Sequence, residues 1–458
     1  MIKTDKLNDA QRKAALSAVR TDKAITKSTR LIRQIAEAAP FKADYSQLPG
    51  FKEIRLQWAV AKLLELESPF FRAHDGRSGA KTTIGGKELI NFSSYDYLGL
   101  NSHDDVMNAA KTAIDQYGIS ASASRVVGGE RPIHSVLEKK IAELYGAESS
   151  IVFVSGHATN VSTIGQILQP NDLVLHDAFI HNSIAMGIKL SGAKRLSFPH
   201  NDFDSLERII ASNNKRDRKI LIVVEGVYSM DGDCPDLPRL IALKRKYEFW
   251  LMVDEAHSLG ILGKTGLGLA EHYNIDPTLV DIWMGTFSKT LAGCGGYIVG
   301  APELVDYLKF SAPSFVFSVG MPPLLANSVS KAIDKMLAEP ERVTRAQKNG
   351  KYFLKAAKKA GLDTGTSAGH AVIPIMIGDS IKATVLASRL LNEGINVLPI
   401  IHPAVPEKSA RLRFFITSEH TPQQLDEAVA ACLRVNKEYD ENPITMEQLI
   451  ILDSFNSS

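Results

Sequence analysis

The sequence predicts an α/β protein: a mainly parallel sheet followed by a compact α+β lobe. Three observations carry this reading. Ser149 to Val154, Leu173 to His176, Lys219 to Val224, Trp250 to Val253, Ile282 to Met284 and Gly296 to Val299 are short apolar runs of strand length. Runs that are apolar throughout mark strands covered on both faces. Most are separated by amphipathic segments of helical length, such as Asp204 to Ser212 and Leu237 to Lys246, which is the alternation of βαβ units. From about residue 322 the text changes to long helices, then to strands at Val372 to Ile377, Ile395 to Pro399 and Leu412 to Ile416 with two intervening helical stretches, which predicts a lobe of its own. Gly295-Gly296, directly before the last strand of the first group, predicts a tight reversal and admits an antiparallel strand there.

The elements ahead of the sheet are simpler. Residues 1–48 are rich in Lys, Ala, Gln and Thr and read as one or two surface helices ending near Pro40 and Pro49. Phe51 to Leu66 places Leu56, Val60, Leu63 and Leu64 near helical spacing and stops before Pro69. Gly76, Gly79 and the Gly85-Gly86 pair then signal a hairpin before the strand Leu89-Ile90-Asn91-Phe92.

Composition excludes several classes. At 458 residues the chain holds a large domain and smaller lobes, and 45% hydrophobic with 23% charged residues is neither a disordered nor a membrane composition. A net charge of +2 with mixed signs gives no field for nucleic acid or an anionic bilayer. The three cysteines, Cys234, Cys294 and Cys432, lie far apart without ligand spacing, so neither a disulfide framework nor a metal site is expected. Met1 to Arg20 lacks the apolar stretch of a leader and no run is long enough to span a bilayer, so a cytoplasmic location is the expectation.

Chemistry gathers at strand ends. In Gly285-Thr286-Phe287-Ser288-Lys289-Thr290, a lysine follows a buried strand, where open α/β sheets bind ligands. Lysine can form an imine with an aldehyde cofactor, and Thr286 and Ser288 can donate to a phosphate. Asp254-Glu255-Ala256-His257 follows another strand, and a buried acid there calls for a cationic partner such as a protonated pyridine nitrogen, with His257 near the ring's phenolic oxygen. Ser155-Gly156-His157 opens a helix after Ile151 to Val154, a ready anion site. His181 can lay its ring on a flat cofactor, Glu225 and Ser229 follow the strand Lys219 to Val224, and Arg411 or Arg413 can hold a carboxylate through two parallel hydrogen bonds. Each feature alone admits a plainer reading: a surface lysine in a turn, an aspartate capping a helix, a packed histidine, a surface ion pair. Their convergence favours a cofactor site.

Four motifs in order, Asn91-Phe92-Ser93-Ser94-Tyr95-Asp96-Tyr97-Leu98-Gly99-Leu100, Glu225 to Asp233, Asp254-Glu255-Ala256-His257-Ser258 and Thr286-Phe287-Ser288-Lys289, closely resemble the α-oxoamine synthases over roughly residues 68–435. That family includes serine palmitoyltransferase, aminooxononanoate synthase and aminoketobutyrate CoA ligase. The resemblance implies the fold-type-I, aminotransferase-like pyridoxal-phosphate (PLP) architecture, with a seven-stranded-type central sheet and a homodimer sharing its active sites. The domain reading is a helical extension over 1–48, which lies outside the resemblance, then a segment 49–95 packing on the small domain, a large PLP-binding domain 96–325 and a small domain 326–458. By resemblance, Lys289 is the Schiff-base lysine, Asp254 the pyridine partner, His257 the phenolic-oxygen contact and His181 the ring-stacking residue. Ser155, Gly156, His157, Thr286 and Ser288 belong with the phosphate, and Ser318 with the phosphate of a partner subunit. Glu225 and Ser229 match the cofactor-adjacent segment, and Arg413, then Arg411, the substrate carboxylate anchor.

The implied reaction is decarboxylative condensation of glycine, alanine or serine with an acyl thioester on coenzyme A or an acyl carrier protein. Tyr95 stands where the aminooxononanoate and aminoketobutyrate enzymes carry asparagine. Ser120-Ala121-Ser122-Ala123-Ser124-Arg125 stands where many relatives are glycine-rich beside the thioester, which also makes Arg125 a substrate candidate. Both departures point toward a longer or carrier-bound acyl chain. The alternatives are another fold-type-I reaction, transamination or aldol cleavage, and a non-catalytic partner subunit. The presence of Lys289 disfavours the last.

Overall fold

A computed structural model describes residues 42–63, 67–213 and 218–444, together with positions 9, 10, 13 and 30. The chain divides into two compact units, residues 1–64 and 65–458. In the first, Asp44 caps a turn at Tyr45–Gln47 and a helix runs over Pro49–Leu63, beginning on the proline that suits a first helical position. Phe51 and Trp58 meet edge to face on it, with ring centroids 6.1 Å apart. The helices expected before residue 41, and the side chains of Leu56, Val60, Leu63 and Leu64, lie outside the described residues.

The second unit is built on a seven-stranded sheet. A hairpin comes first, β1 (Lys81–Ile84) and β2 (Lys87–Asn91), turning on Gly85-Gly86, both at positive φ. The central strands follow: β3 (Ser149–Phe153), β4 (Leu173–Asp177), β5 (Lys194–Phe198), β6 (Ile220–Glu225), β7 (Trp250–Asp254), β8 (Ile282–Thr286) and β9 (Gly296–Gly300). Their order is β3-β9-β8-β7-β6-β4-β5, and β9 alone runs against its neighbours β3 and β8. Every residue of β6 is buried, as helices on both faces require. The helix Leu237–Lys246 shows how the connections are specified. Asp236 accepts from the Arg239 N–H at its start, Leu237, Leu240, Ile241 and Leu243 face the core, and Lys244, Arg245 and Lys246 end it at the negative pole of the helix dipole.

The edge strand β5 has no counterpart in the sequence reading. Only Phe198 of its five residues is fully buried, so the run is polar and lacks the signature of a two-faced strand.

Two further sheets lie toward the carboxyl end. β10 (Val372–Gly378), β12 (Leu398–Ile400) and β13 (Ala410–Phe415) form an antiparallel sheet of order β10-β13-β12, and β11 (Ile395–Asn396) pairs in parallel with β2. The stretch expected as one strand, Ile395 to Pro399, therefore serves two sheets. One helix, Ser380–Asn392, intervenes among these strands, not two; the second, Pro422–Glu441, comes after the last strand. Their shared core joins Phe92, Phe353, Ile373, Leu390, Phe414 and Leu425, with Phe92 stacked on His420 at 4.5 Å.

No helix among the described residues is long and apolar enough to cross a membrane.

Candidate active site

Because β3, β4, β6, β7 and β8 run in one direction, their carboxyl ends share one edge of the sheet. A cavity of 160 Å³ opens there, lined by Ser155, Gly156, His157, His181, Glu225, Ser229, Asp254, His257, Thr286, Ser288 and Lys289 among others. Residues far apart in sequence thus meet because each follows a strand, the placement expected at the crevice of an open α/β sheet.

Lys289 lies on the loop between β8 and β9. Burial, opposed by the charges of Asp254 and Glu225, holds its ammonium down to about 8, so a usable fraction is free amine near neutral pH. Asp254 ends β7 beside Glu225, its register partner on β6. The Asp254 carboxylate accepts from Asn160 Nδ2 at 2.8 Å and from the Ala256 N–H at 2.9 Å. Burial first, and the neighbouring Asp254 charge second, push the Glu225 carboxyl up to about 8. At pH 7 Glu225 is therefore mostly a neutral acid able to donate a hydrogen bond.

His257 is buried and held well below the usual imidazole range by desolvation, with Lys289 and Arg413 adding to the effect. Its Nδ1 lies 2.7 Å from the Tyr97 hydroxyl. His181, also lowered chiefly by burial, has Nδ1 2.7 Å from Ser183 Oγ, and its ring meets that of His157 edge to face at 6.4 Å. Asn160 ties these groups together, because its amide donates both to Asp254 and, at 2.9 Å, to Ser183 Oγ.

The helix Gly156–Ile167 opens with Ser155, whose hydroxyl accepts from the Ala158 N–H, and presents its amino terminus to the cavity beside Thr286 and Ser288. A Cβ on Gly156 would stand 2.7 Å from Thr286 Oγ1, so only glycine lets the two segments approach this closely. Thr286 Oγ1 donates to the Gly295 carbonyl at 2.8 Å and lies 3.2 Å from Ser288 Oγ.

The two arginines of β13 differ. Arg411 is held by Asp231 at 2.7 Å and by the Met230 and Ser409 carbonyls. Arg413 Nη1 donates to the Ser229 carbonyl at 3.0 Å and meets Met230 Sδ at 3.2 Å, the guanidinium lies over the Phe415 ring at 4.7 Å, and its buried Nε has no partner. Tyr95, 40% exposed, stands edge-on to Phe415 at 4.7 Å with its ring 5.9 Å from Lys289 Nζ.

Two expected residues lie apart from this group. Arg125 is buried and its donors go to Glu130 and Glu138, including a short contact from Nη1 to Glu138 Oε1, with its guanidinium over Phe315. That guanidinium is consumed within the protein, which removes Arg125 from the substrate candidates. Arg125→Ala is expected to lower stability by up to roughly 3–5 kcal/mol, because Glu138 stays behind as a buried charge with only the Val152 N–H at 3.0 Å and the more distant Lys309 at 3.9 Å to compensate it; chemical denaturation measures it, with KM for the amino acid unchanged in the folded fraction. Ser318 does not line the cavity within this chain.

Asn160, Ser183 and Tyr97 were not singled out in the sequence, since their roles arise from partners 94, 23 and 160 residues away. A larger cleft of 830 Å³ opens at the opposite edge of the sheet, near Trp250, Trp283 and Tyr307. Two of its charges are engaged locally, Lys219 over Trp250 and Asp281 with Lys244.

The donor set suits one cofactor. An amine of lowered pKa, a fixed carboxylate for a cationic ring nitrogen, and a helix amino terminus with two hydroxyls for a phosphate match PLP group by group. Glu225 Oε1, Asn160 Oδ1 and Arg413 Nε, all buried without partners, supply further polar atoms for a ligand. Fold and site together define a fold-type-I PLP enzyme, and residues 87–432 match the family described as aminotransferase class I and II.

The chain is 37% identical over 388 residues to the 8-amino-7-oxononanoate synthase of Thermoanaerobacter pseudethanolicus, covering 84% of this chain and 95% of that one. It is 37% identical over 369 residues to the serine palmitoyltransferase of Sphingobacterium spiritivorum, covering 81% and 92%. A variant of the serine palmitoyltransferase of S. paucimobilis, solved with a bound PLP–myriocin aldimine, superposes with a TM-score of 0.82 at 26% identity over 86% of this chain and 99% of that one. The chain belongs to the α-oxoamine synthases, and is a PLP-dependent acyltransferase that condenses an amino acid with an acyl thioester.

Proposed function

We propose that this site joins a small amino acid, glycine, alanine or serine, to a long-chain or carrier-bound acyl thioester, releasing carbon dioxide, free thiol and an α-aminoketone. The observation that carries the reading is the Lys289 amine, its ammonium lowered to about 8, enclosed with Asp254 and Glu225 at the strand ends. Tyr95 beside Lys289, and the serine- and alanine-rich segment over 120–125, support the choice of acyl group.

When bound, PLP supplies an electron-withdrawing ring that stabilises negative charge at the amino acid's α-carbon. We assign to Lys289 the covalent attachment of the cofactor and, once freed, removal of the α-proton by its neutral amine. Asp254, oriented by Asn160 and the Ala256 N–H, keeps the ring nitrogen protonated. His181 would lie against the cofactor ring, and His257, oriented by Tyr97, would contact its phenolic oxygen. Ser155, Gly156, His157, Thr286 and Ser288 would hold the phosphate, with Glu225 and Ser229 beside the ring. Arg413 takes the carboxylate; Arg411, engaged with Asp231, braces the loop that Arg413 leans on.

Arg413→Lys keeps the charge and loses the paired hydrogen bonds. It is expected to raise KM for the amino acid ~10–100-fold with a smaller change in kcat.

We also read the enzyme as a cytoplasmic homodimer with Ser318 reaching the partner's phosphate site. Exposed apolar residues support the dimer: Val127 and Phe317, each 85% exposed, sit on neighbouring segments joined by the Gly320 N–H to the Ala123 carbonyl at 2.9 Å.

The test offers glycine, alanine and serine with coenzyme A and carrier-protein thioesters. Carbon dioxide and free thiol released in equal amounts are expected, whereas a 2-oxo acid formed without thiol would replace the reading with transamination.

A further inference from the structure

Away from the PLP pocket, one thiol and two imidazoles converge from three separate stretches of chain. Cys234 lies on the loop that follows β6, His272 in the short helix Leu269–Tyr273, and His370 just ahead of β10. Their Sγ and ring nitrogen atoms all lie within 4.8 Å of one another. We propose that Cys234, His272 and His370 form a binding site for a single zinc ion, with water in the fourth position, that clips the His370 loop to the loop after β6.

The ligand set is the first argument. Thiolate and imidazole together suit a borderline-soft divalent ion, and three protein ligands with one open position are a recurrent zinc arrangement. A tetrahedral zinc with bonds of about 2.3 Å to sulfur and 2.0 Å to nitrogen sets donor atoms roughly 3.5 Å apart, so closure needs a movement of about 1 Å. His272 is exposed and can supply that movement.

The donors are also uncommitted. Among the described residues neither imidazole makes a side-chain hydrogen bond; the rings meet edge to face at 5.6 Å, and Cys234 Sγ has only a 3.7 Å contact with the Tyr273 hydroxyl. Burial holds His370 down to about 4 and lowers His272, so both rings are neutral at pH 7. A neutral imidazole carries one ring nitrogen lone pair that a metal can take. Binding replaces the Cys234 S–H bond by a sulfur–zinc bond, and the thiol proton passes to solvent. Next to Cys234, Asp233 keeps one carboxylate oxygen buried without a partner, and its charge acts on both Cys234 and His370. The other oxygen of that carboxylate is paired with His200 at 2.9 Å, and Lys351 lies close enough to act on both imidazoles, so the three converging ligand atoms rather than a net negative field would hold the ion.

The loops to be joined already touch, since the Ala368 N–H donates to the Gly232 carbonyl at 3.2 Å. Asp231 and Ser229 on the same loop hold Arg411 and Arg413. Zinc would stiffen this junction between the central sheet and β10.

The test uses full-length, untagged holoenzyme stripped by a chelator and titrated with Co²⁺, which reports thiolate ligation by absorption. One Co²⁺ per chain is expected, with a sulfur-to-cobalt charge-transfer band in the difference spectrum against metal-free holoenzyme, lost when one equivalent of Zn²⁺ is added. Cys234→Ser should abolish the band and weaken Zn²⁺ binding by ~100-fold or more. His272→Ala, a change at an exposed position that leaves the core intact, should weaken binding comparably. Absence of the band in the wild-type protein, its persistence in Cys234→Ser, which would implicate exposed Cys294, or unchanged affinity in His272→Ala would each overturn the proposal.

Discussion

Lys289→Ala is expected to lower turnover by on the order of 10⁴-fold or more and to remove the visible absorbance of lysine-bound cofactor, because one amine serves as both attachment point and base. The loop around it should survive the change. It is held by backbone bonds, from the Phe287 N–H to the Gly295 carbonyl at 3.0 Å and from the Gly293 N–H to the Phe287 carbonyl at 2.8 Å, and none uses the lysine side chain. Stopped-flow mixing of wild-type apoenzyme with PLP gives the complementary measurement. Only the free amine attacks the aldehyde, and burial lowers the Lys289 ammonium to about 8. The capture rate should therefore climb about tenfold per pH unit up to roughly pH 8 and level off above it. A variant that turned over and kept the absorbance would remove the central assignment.

Asp254→Asn is expected to cost ~10²–10³-fold in kcat and to speed loss of cofactor during dialysis. An amide in place of the carboxylate cannot hold a ring nitrogen in its cationic form. The substitution also acts on its neighbours in predictable directions. The Asp254 charge helps raise both the Glu225 carboxyl and the Lys289 ammonium. Removing it should shift both downward, so the capture profile of the Asp254→Asn apoenzyme should turn at a lower pH than the wild type's. An unchanged midpoint would mean that the two side chains are screened from each other. A kcat within a few fold of wild type would deny Asp254 its role at the ring.

What the sequence discloses depends on how local the signal is. The buried strands β6, β7 and β8 were legible because each is covered on both faces and reads as an uninterrupted apolar run. Strand β5 was not, since Lys194, Arg195 and Ser197 are exposed at the sheet's edge. Ile395 to Pro399 gave no hint of serving two sheets; the division is fixed by tertiary contacts, with the Asn396 amide donating to Asn91 and Ser93. Among the site residues, those that end strands could be named from their neighbours in sequence. Asn160 could not, because a mid-helix asparagine becomes informative only when Asp254 is known to face it. Arg125 shows the converse: its sequence neighbourhood suggests a ligand, whereas the fold brings Glu138 of the next helix against it as an ion-pair partner. Arg411 and Arg413 stand two residues apart on one strand, and the position of Asp231 distinguishes an ion-paired brace from a guanidinium without a carboxylate partner.

The single reversed strand, β9, bears on how the enzyme moves. A crossover leaving β8 would have carried Lys289 away on a separate helix; the return through β9 instead closes the segment between Thr286 and Gly296 on itself, fastened by both backbone and the Thr286 hydroxyl. In the role proposed for it, the lysine would let go of the cofactor and recapture it once per turnover. With its backbone moored on both sides, that excursion falls to the four-carbon stem alone, which swings like a crane arm on a fixed mast. Motion of the amine would thus require no movement of the strands on either side of it.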